Sequence, residues 1–178
     1  MRIVLVMLAA MGVFGVVGTP LYVLPASDEP RAADAVYVIG PPTDARIELA
    51  ESMIVDDLAG TMVVSLSEDP DERAEMPLAT RACEEARDYP VLCSQPAPFT
   101  TRGEARWLRD LVDDEGWESV AVVTVTPHLT RTRVIFERCW DGDLAYVDSG
   151  ERLSPVLWAY QYLYQSAAFI KVAGEDGC

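Results

Sequence analysis

The stretch SVAVVTVTPHLTRTR, Ser119 to Arg133, decides the fold. Its opening SVAVVTV is an unbroken, β-branched apolar run, the mark of a strand buried on both faces. Thr126 stands where a helix cap belongs, and Pro127 suits the first helical turn, where no amide donor is needed. The stretch therefore predicts a core strand that feeds directly into a helix. It also carries the chain's single histidine, His128.

The same alternation extends in both directions. AVYVIG (Ala35 to Gly40) is a second apolar strand. Thr43 then offers a cap, Ile47, Ala50, Ile54 and Leu58 fall on one helical face, and Gly60 is the expected stop. TMVVSL (61–66) is another strand. Residues 70–87 are charged and helix-prone, and Pro77 must kink or divide them. YPVLC (89–93) is a short strand. Thr101 and Glu104 have the spacing of a capping box, followed by an apolar stripe of Ala105, Leu108, Leu111 and Val112. DLAYV (143–147) is a fifth strand, and residues 152–172 predict a helix packed on the sheet. Strands alternating with helices at this spacing give an α/β fold with a mainly parallel sheet flanked by helices. In such a sheet ligands bind beyond the carboxyl ends of the strands.

Composition narrows the function. With 29 acidic and 14 basic side chains in 178 residues, the formal charge is −15. That excludes nucleic acid as a partner, because phosphate backbones need a broad basic surface. After Arg2, residues Ile3 to Ser27 carry no charge, and the apolar part matches the ~20 residues that span a bilayer. Residues 1–24 are thus expected to be a transmembrane anchor or a signal peptide, 25–33 a linker, and 34–178 an exported domain. Four cysteines in an exported domain point to disulfides. Cys83 with Cys93 and Cys139 with Cys178 are the expected pairs, the second pinning the C-terminal tail. With no CxxC and one histidine, no metal site is expected.

Three arginines sit near expected helix starts: Arg46, Arg102 and Arg131. A cation there opposes the helix dipole unless an anion is shared between the guanidinium groups and the helix amides. His128 and Arg131 are three apart, on one helical face, and histidine titrates near neutrality. Glu104 is either a capping-box residue or an acid/base group. Thr101, Thr124 and Thr126 can donate hydroxyl hydrogen bonds to a ligand, or serve as caps and strand residues.

These residues carry a resemblance. PFTTRGEARWL, then VAVVTVTPHLTRTRVIFERC, resembles the YdcF/ElyC/SanA-like family of bacterial envelope proteins. Its Thr-x-x-Glu-Ala helix start corresponds to Thr101, Glu104 and Ala105. Its strand ending in Val-Thr corresponds to Val123 and Thr124, and its His-x-x-Arg to His128 and Arg131. Arg46 and Ala50 resemble the family's Arg-x-x-x-Ala. The likeness spans about residues 34–147 and implies a Rossmann-like domain outside the cell, behind a single-pass membrane anchor. It implies a part in envelope integrity or peptidoglycan biogenesis. Some cytoplasm-associated relatives bind S-adenosylmethionine, which an exported domain would not meet, so no cofactor is expected. Departures from the family are Ser65-Leu66-Ser67 in place of glycines, Gly40-Pro41-Pro42 in the first turn, and CSQPAPF before the Thr-x-x-Glu motif. The expected ligand is a phosphate- or carboxylate-bearing envelope metabolite or lipid-linked precursor. Arg46, Arg102 and Arg131 would be its clamps, with His128 and Glu104 as acid/base candidates. The competing expectation is a non-catalytic scaffold or ligand sensor.

Overall fold

A computed structural model describes residues 2–175 and 177–178. The chain opens with helix α1 (Arg2–Gly18), which runs into a single π-type turn over Thr19–Val23. Strand β1 (Ala33–Val38) and helix α2 (Asp44–Val55) follow, then β2 (Ala59–Ser65) and the short helices α3 (Pro70–Glu75) and α4 (Pro77–Glu84). Next come β3 (Val91–Ser94), α5 (Thr101–Glu115) and β4 (Ser119–Thr124). A 3-10 turn over Thr126–His128 leads into α6 (Leu129–Phe136), β5 (Asp143–Asp148) and α7 (Pro155–Ala173).

The five strands form one sheet in the order β3-β2-β1-β4-β5, and every pairing is parallel. The α/β architecture is therefore as expected and Rossmann-like, with a sheet that is parallel throughout. The chain winds outward from β1 to β3, then returns to place β4 on the other side of β1. Val38 pairs with Val64 on one side and Val123 on the other, so three strands end level. The crevice between the ends of β1 and β4 is the topological switch point of the sheet.

Both faces of the sheet are covered, which explains the unbroken apolar runs. Tyr37, Val63, Val122 and Tyr146 pack under α5 and α6, against Leu108, Val112, Ile135 and Phe136. Val36, Val38, Met62, Val64 and Val123 pack under α2 and α4, against Ile47, Ala50, Met53 and Ala79. Pro77 divides the 70–87 segment, as its missing amide requires.

Several local expectations change. The helix after β1 ends at Val55, and the chain turns at Asp57 with φ of 55°. Gly60 is not the stop but lies inside β2. An aspartate tolerates this left-handed conformation better than most side chains. Residues 25–33, expected as a linker, are tied to the sheet edge: the Asp28 amide donates to the Tyr146 carbonyl at 2.8 Å, and the Tyr146 amide donates to Asp28 Oδ2 at 2.8 Å. The last helix does not lie on the sheet. It touches α6 and the 126–128 turn, and much of its apolar surface is exposed, including Val156, Leu163 and Ile170.

The N-terminal segment also differs from expectation. Met1 lies outside the described residues. Helix α1 has 17 residues, about 26 Å of rise, against the ~30 Å of a bilayer core. Pro20 removes a helical amide, and the Thr19 hydroxyl donates instead to the Gly15 carbonyl at 2.8 Å. Among the described residues no helix is long and apolar enough to cross a membrane. The expected transmembrane helix is therefore not found.

Both expected disulfides are present, Cys83–Cys93 and Cys139–Cys178. The first ties α4 to β3, and the second holds the C-terminus against the end of α6.

Candidate functional site

The sheet's switch point opens into a cavity of about 930 Å³. The loop after β1, the start of α5, the turn after β4 and one face of α7 line it. Arg46, Thr101, Arg102, Glu104, His128 and Arg131 all reach its walls. Segments that follow three different strands, β1, β3 and β4, thus bring these side chains together across 85 residues of sequence, from 46 to 131.

Glu104 is almost fully buried, at 3 % exposure. Its Oε1 accepts a hydrogen bond from the Gly40 amide at 2.6 Å. This overturns the capping-box reading. The N-cap of α5 is Thr100, whose hydroxyl accepts from the Gly103 amide, so Glu104 has no cap to reach back to. Burial raises the Glu104 pKa, while the Gly40 amide, Ser65 and the charges of Arg131 and Arg46 pull the other way. The Ser65 hydroxyl is near enough to act electrostatically but makes no hydrogen bond of good geometry. The first turn is not an anion nest: Pro41 and Pro42 have no amide, and that of Gly40 is taken by Glu104.

With the cap one residue earlier, Thr101 becomes the first helical residue and its hydroxyl is released from capping. That oxygen lies 3.3 Å from His128 Nε2 and accepts from Arg131 Nη1 at 3.2 Å. On the other side of the imidazole, Thr124 Oγ1 is 3.1 Å from Nδ1. His128 is thus held between two threonines. Burial depresses its pKa well below the usual value, and Arg131 and Arg46 add to the effect, so the ring is neutral.

The three arginines differ. Arg46 Nε pairs with Glu151 Oε1 at 2.6 Å, and its Nη1 donates to the Pro41 carbonyl at 2.8 Å. Burial tends to raise the Glu151 pKa, but Arg46 and the hydroxyls of Ser149 and Thr43 outweigh it and hold it low. Arg102 pairs with Glu175 at 2.9 Å on the rim. Arg131 is 8 % exposed and, among the described residues, pairs with no carboxylate. Its Nε donates to Gln165 Oε1 at 2.7 Å, and its guanidinium lies 5.8 Å from the centre of the Tyr164 ring. Burial lowers its pKa, against the pull of Tyr164 and Glu104.

Two expected ligand contacts are not made by this geometry. Thr124 is fully buried behind His128. Thr126 neither caps α6 nor reaches the cavity, because its hydroxyl donates to Asp148 Oδ2 at 2.7 Å. Three partners lay beyond local spacing: Glu151, Tyr164 and Gln165. The signal for Gln165 was present in Gln161 and Gln165, four apart in a largely apolar helix and bonded to one another at 3.1 Å. Among the described residues no group of three His, Cys, Asp or Glu side chains is placed to hold a metal ion. Comparison with protein-family models, curated proteins and solved structures finds no match for this chain.

Proposed function

We propose that the cavity binds a small phosphate- or carboxylate-bearing molecule, with Arg131 as the principal anion ligand. The observation that carries this reading is a buried guanidinium facing a cavity and, among the described residues, with no carboxylate partner. A buried cation costs several kcal/mol unless it is paired, and Gln165, Thr101 and Tyr164 supply only neutral groups. An incoming oxyanion completes the shell. Arg46, already neutralised by Glu151, positions the loop after β1, and Arg102 on the rim is freed only when Glu175 moves.

The free Oε2 of Glu104 and the neutral imidazole of His128 are the acid/base groups available for hydrolysis or transfer. The likeness to YdcF/ElyC/SanA-like envelope proteins supports a place outside the cell, in envelope or peptidoglycan metabolism and on a membrane-associated chain. Two disulfides suit such an oxidising compartment. A second reading, a ligand sensor without turnover, draws on one observation: both ring nitrogens of His128 already have threonine partners.

Calorimetric titration of the full chain with inorganic phosphate and with acetate tests the anion site. Arg131→Ala is expected to weaken binding roughly tenfold to a hundredfold, the worth of a charged hydrogen bond. Equal binding by both proteins would overturn the reading. Mass spectrometry of small molecules and lipids that co-purify with wild type, but not with Arg131→Ala, then identifies the ligand.

A further inference from the structure

The partners of Thr101 constrain its protons. Arginine has no acceptor, so in the Arg131–Thr101 contact Nη1 donates and Oγ1 accepts. The hydroxyl's own proton then needs an acceptor, and among the described residues the nearest is His128 Nε2 at 3.3 Å. An accepting Nε2 puts the proton of the neutral ring on Nδ1, from which it donates to Thr124 Oγ1 at 3.1 Å. The opposite tautomer would aim Nε2–H and Nη1–H at one oxygen and let Thr124 donate to Nδ1, so the two tautomers differ in which threonine proton the ring accepts.

We propose that Thr101 is the nucleophile of this site toward a phosphate ester, with His128 Nε2 as the base that takes its hydroxyl proton. The proposal rests on the anion-binding reading above and narrows its ligand to a phosphoryl donor. Thr101 lines the cavity, its oxygen touches the guanidinium that would hold the phosphoryl group, and that oxygen lies 3.3 Å from a ring nitrogen able to act as base. It is also the first residue of a helix whose opening amides favour negative charge. Thr124 is a positioning residue that holds the other ring nitrogen at 3.1 Å.

In the first step Oγ1 bonds to phosphorus while the bond to the ester oxygen breaks, its electron pair leaving with that oxygen. The Thr101 proton passes to Nε2, and the imidazolium then protonates the departing oxygen, which leaves the ring neutral for the second step. In the second step water attacks the phosphothreonine and yields a proton to Nε2. The phosphorus–Oγ1 bond breaks and Nε2 returns that proton to Thr101, releasing inorganic phosphate. Burial, with the two guanidinium charges adding to it, holds the imidazole pKa down, and a dianion would offset those charges when the base is needed.

The single histidine makes the test direct. Long-range proton–nitrogen NMR of the full chain reads the His128 tautomer, and titration with inorganic phosphate reads occupancy from the same signal. We expect the Nδ1–H tautomer, a phosphate-dependent shift, and a phosphorylated Thr101 trapped by acid quench after incubation with p-nitrophenyl phosphate. Thr101→Ala should lose hydrolysis at least about a hundredfold, while Thr101→Ser should still be labelled, now on serine. An Nε2–H tautomer, unlabelled Thr101 at saturating probe, or undiminished hydrolysis by Thr101→Ala overturns the nucleophile and leaves the anion site standing. No response of His128 to phosphate sinks both.

Discussion

Glu104 and Gly40, on elements 64 residues apart, are joined by a 2.6 Å bond from backbone amide to carboxylate, at the mouth of the sheet's switch point. The bond fixes the loop after β1 against the start of α5, the two walls that hold Arg46 and Thr101. It uses one oxygen of Glu104, a residue that also lines the cavity.

Glu104 gives the first prediction. Its folded pKa lies above the unfolded value because burial disfavours the carboxylate. Such a group favours folding in acid, and that contribution disappears as pH rises through the raised pKa. Glu104→Gln keeps an acceptor for the Gly40 amide but does not titrate. Urea midpoints measured from acid to neutral pH should therefore move in favour of the variant as pH rises. Glu104→Ala, which strands the buried amide, should cost about 1–3 kcal/mol throughout.

His128 works in the opposite direction. Its folded pKa is depressed, so the unfolded chain takes up a proton near pH ~6.5 that the folded chain refuses. Its contribution is complete above that pH and is lost as pH falls toward the depressed value. Wild type should lose up to ~1.4 kcal/mol per pH unit across this window relative to His128→Gln. With one histidine in the chain, the difference between the two curves belongs to one side chain.

Arg46 and Glu151 form a partly buried pair with hydroxyl support from Thr43 and Ser149. Removing only Glu151 leaves a buried cation, and Glu151→Ala should cost about 3–5 kcal/mol. Pairing that change with Arg46→Met should recover much of the loss, since no buried cation is then left without a partner. Thermal unfolding of the two single variants and the double variant measures the coupling.

The two disulfides close loops of different length, with separations of 10 and 39 residues. In the chain-entropy model the longer one contributes more, ~4 against ~3 kcal/mol. Replacing Cys139 and Cys178 together by Ser should lower the unfolding midpoint further than replacing Cys83 and Cys93. It should also release the C-terminus, whose last carbonyl accepts from Arg106 at 2.8 Å beside the cavity.

How much of this was legible in the sequence follows from the range of each interaction. Val36, Val38, Val122 and Val123 announce a two-sided sheet, because burial on both faces leaves an unbroken apolar run. Parallel strands with helical crossovers then put their carboxyl ends together, which placed Arg46, His128 and Arg131 in one crevice without any contact being known. Partners were hidden because spacing reports only the same turn or strand. Nothing near Arg46 points to Glu151, 105 residues on. Nothing near Glu104 points to Gly40. The helix stop at Asp57 was also unreadable, since glycine three residues later is the stronger signal for a turn.

The register of the cap on α5 gives the last prediction. Thr100 and Thr101 are adjacent and chemically identical, yet only Thr100 caps the helix, accepting from the Gly103 amide at 3.3 Å. Thr101 instead faces His128 and Arg131. Thr100→Ala should therefore cost about 1 kcal/mol of stability and leave phosphate affinity close to wild type. Thr101→Ala should remove the oxygen that accepts from Arg131 and weaken phosphate binding. Its stability cost is not that of a lost cap, because the Gly103 amide keeps its acceptor. Denaturant unfolding and phosphate titration on both variants separate the two roles. If Thr100→Ala alone weakened binding, the cap and the site would be one structure, and the shift of register by one residue would have no functional meaning.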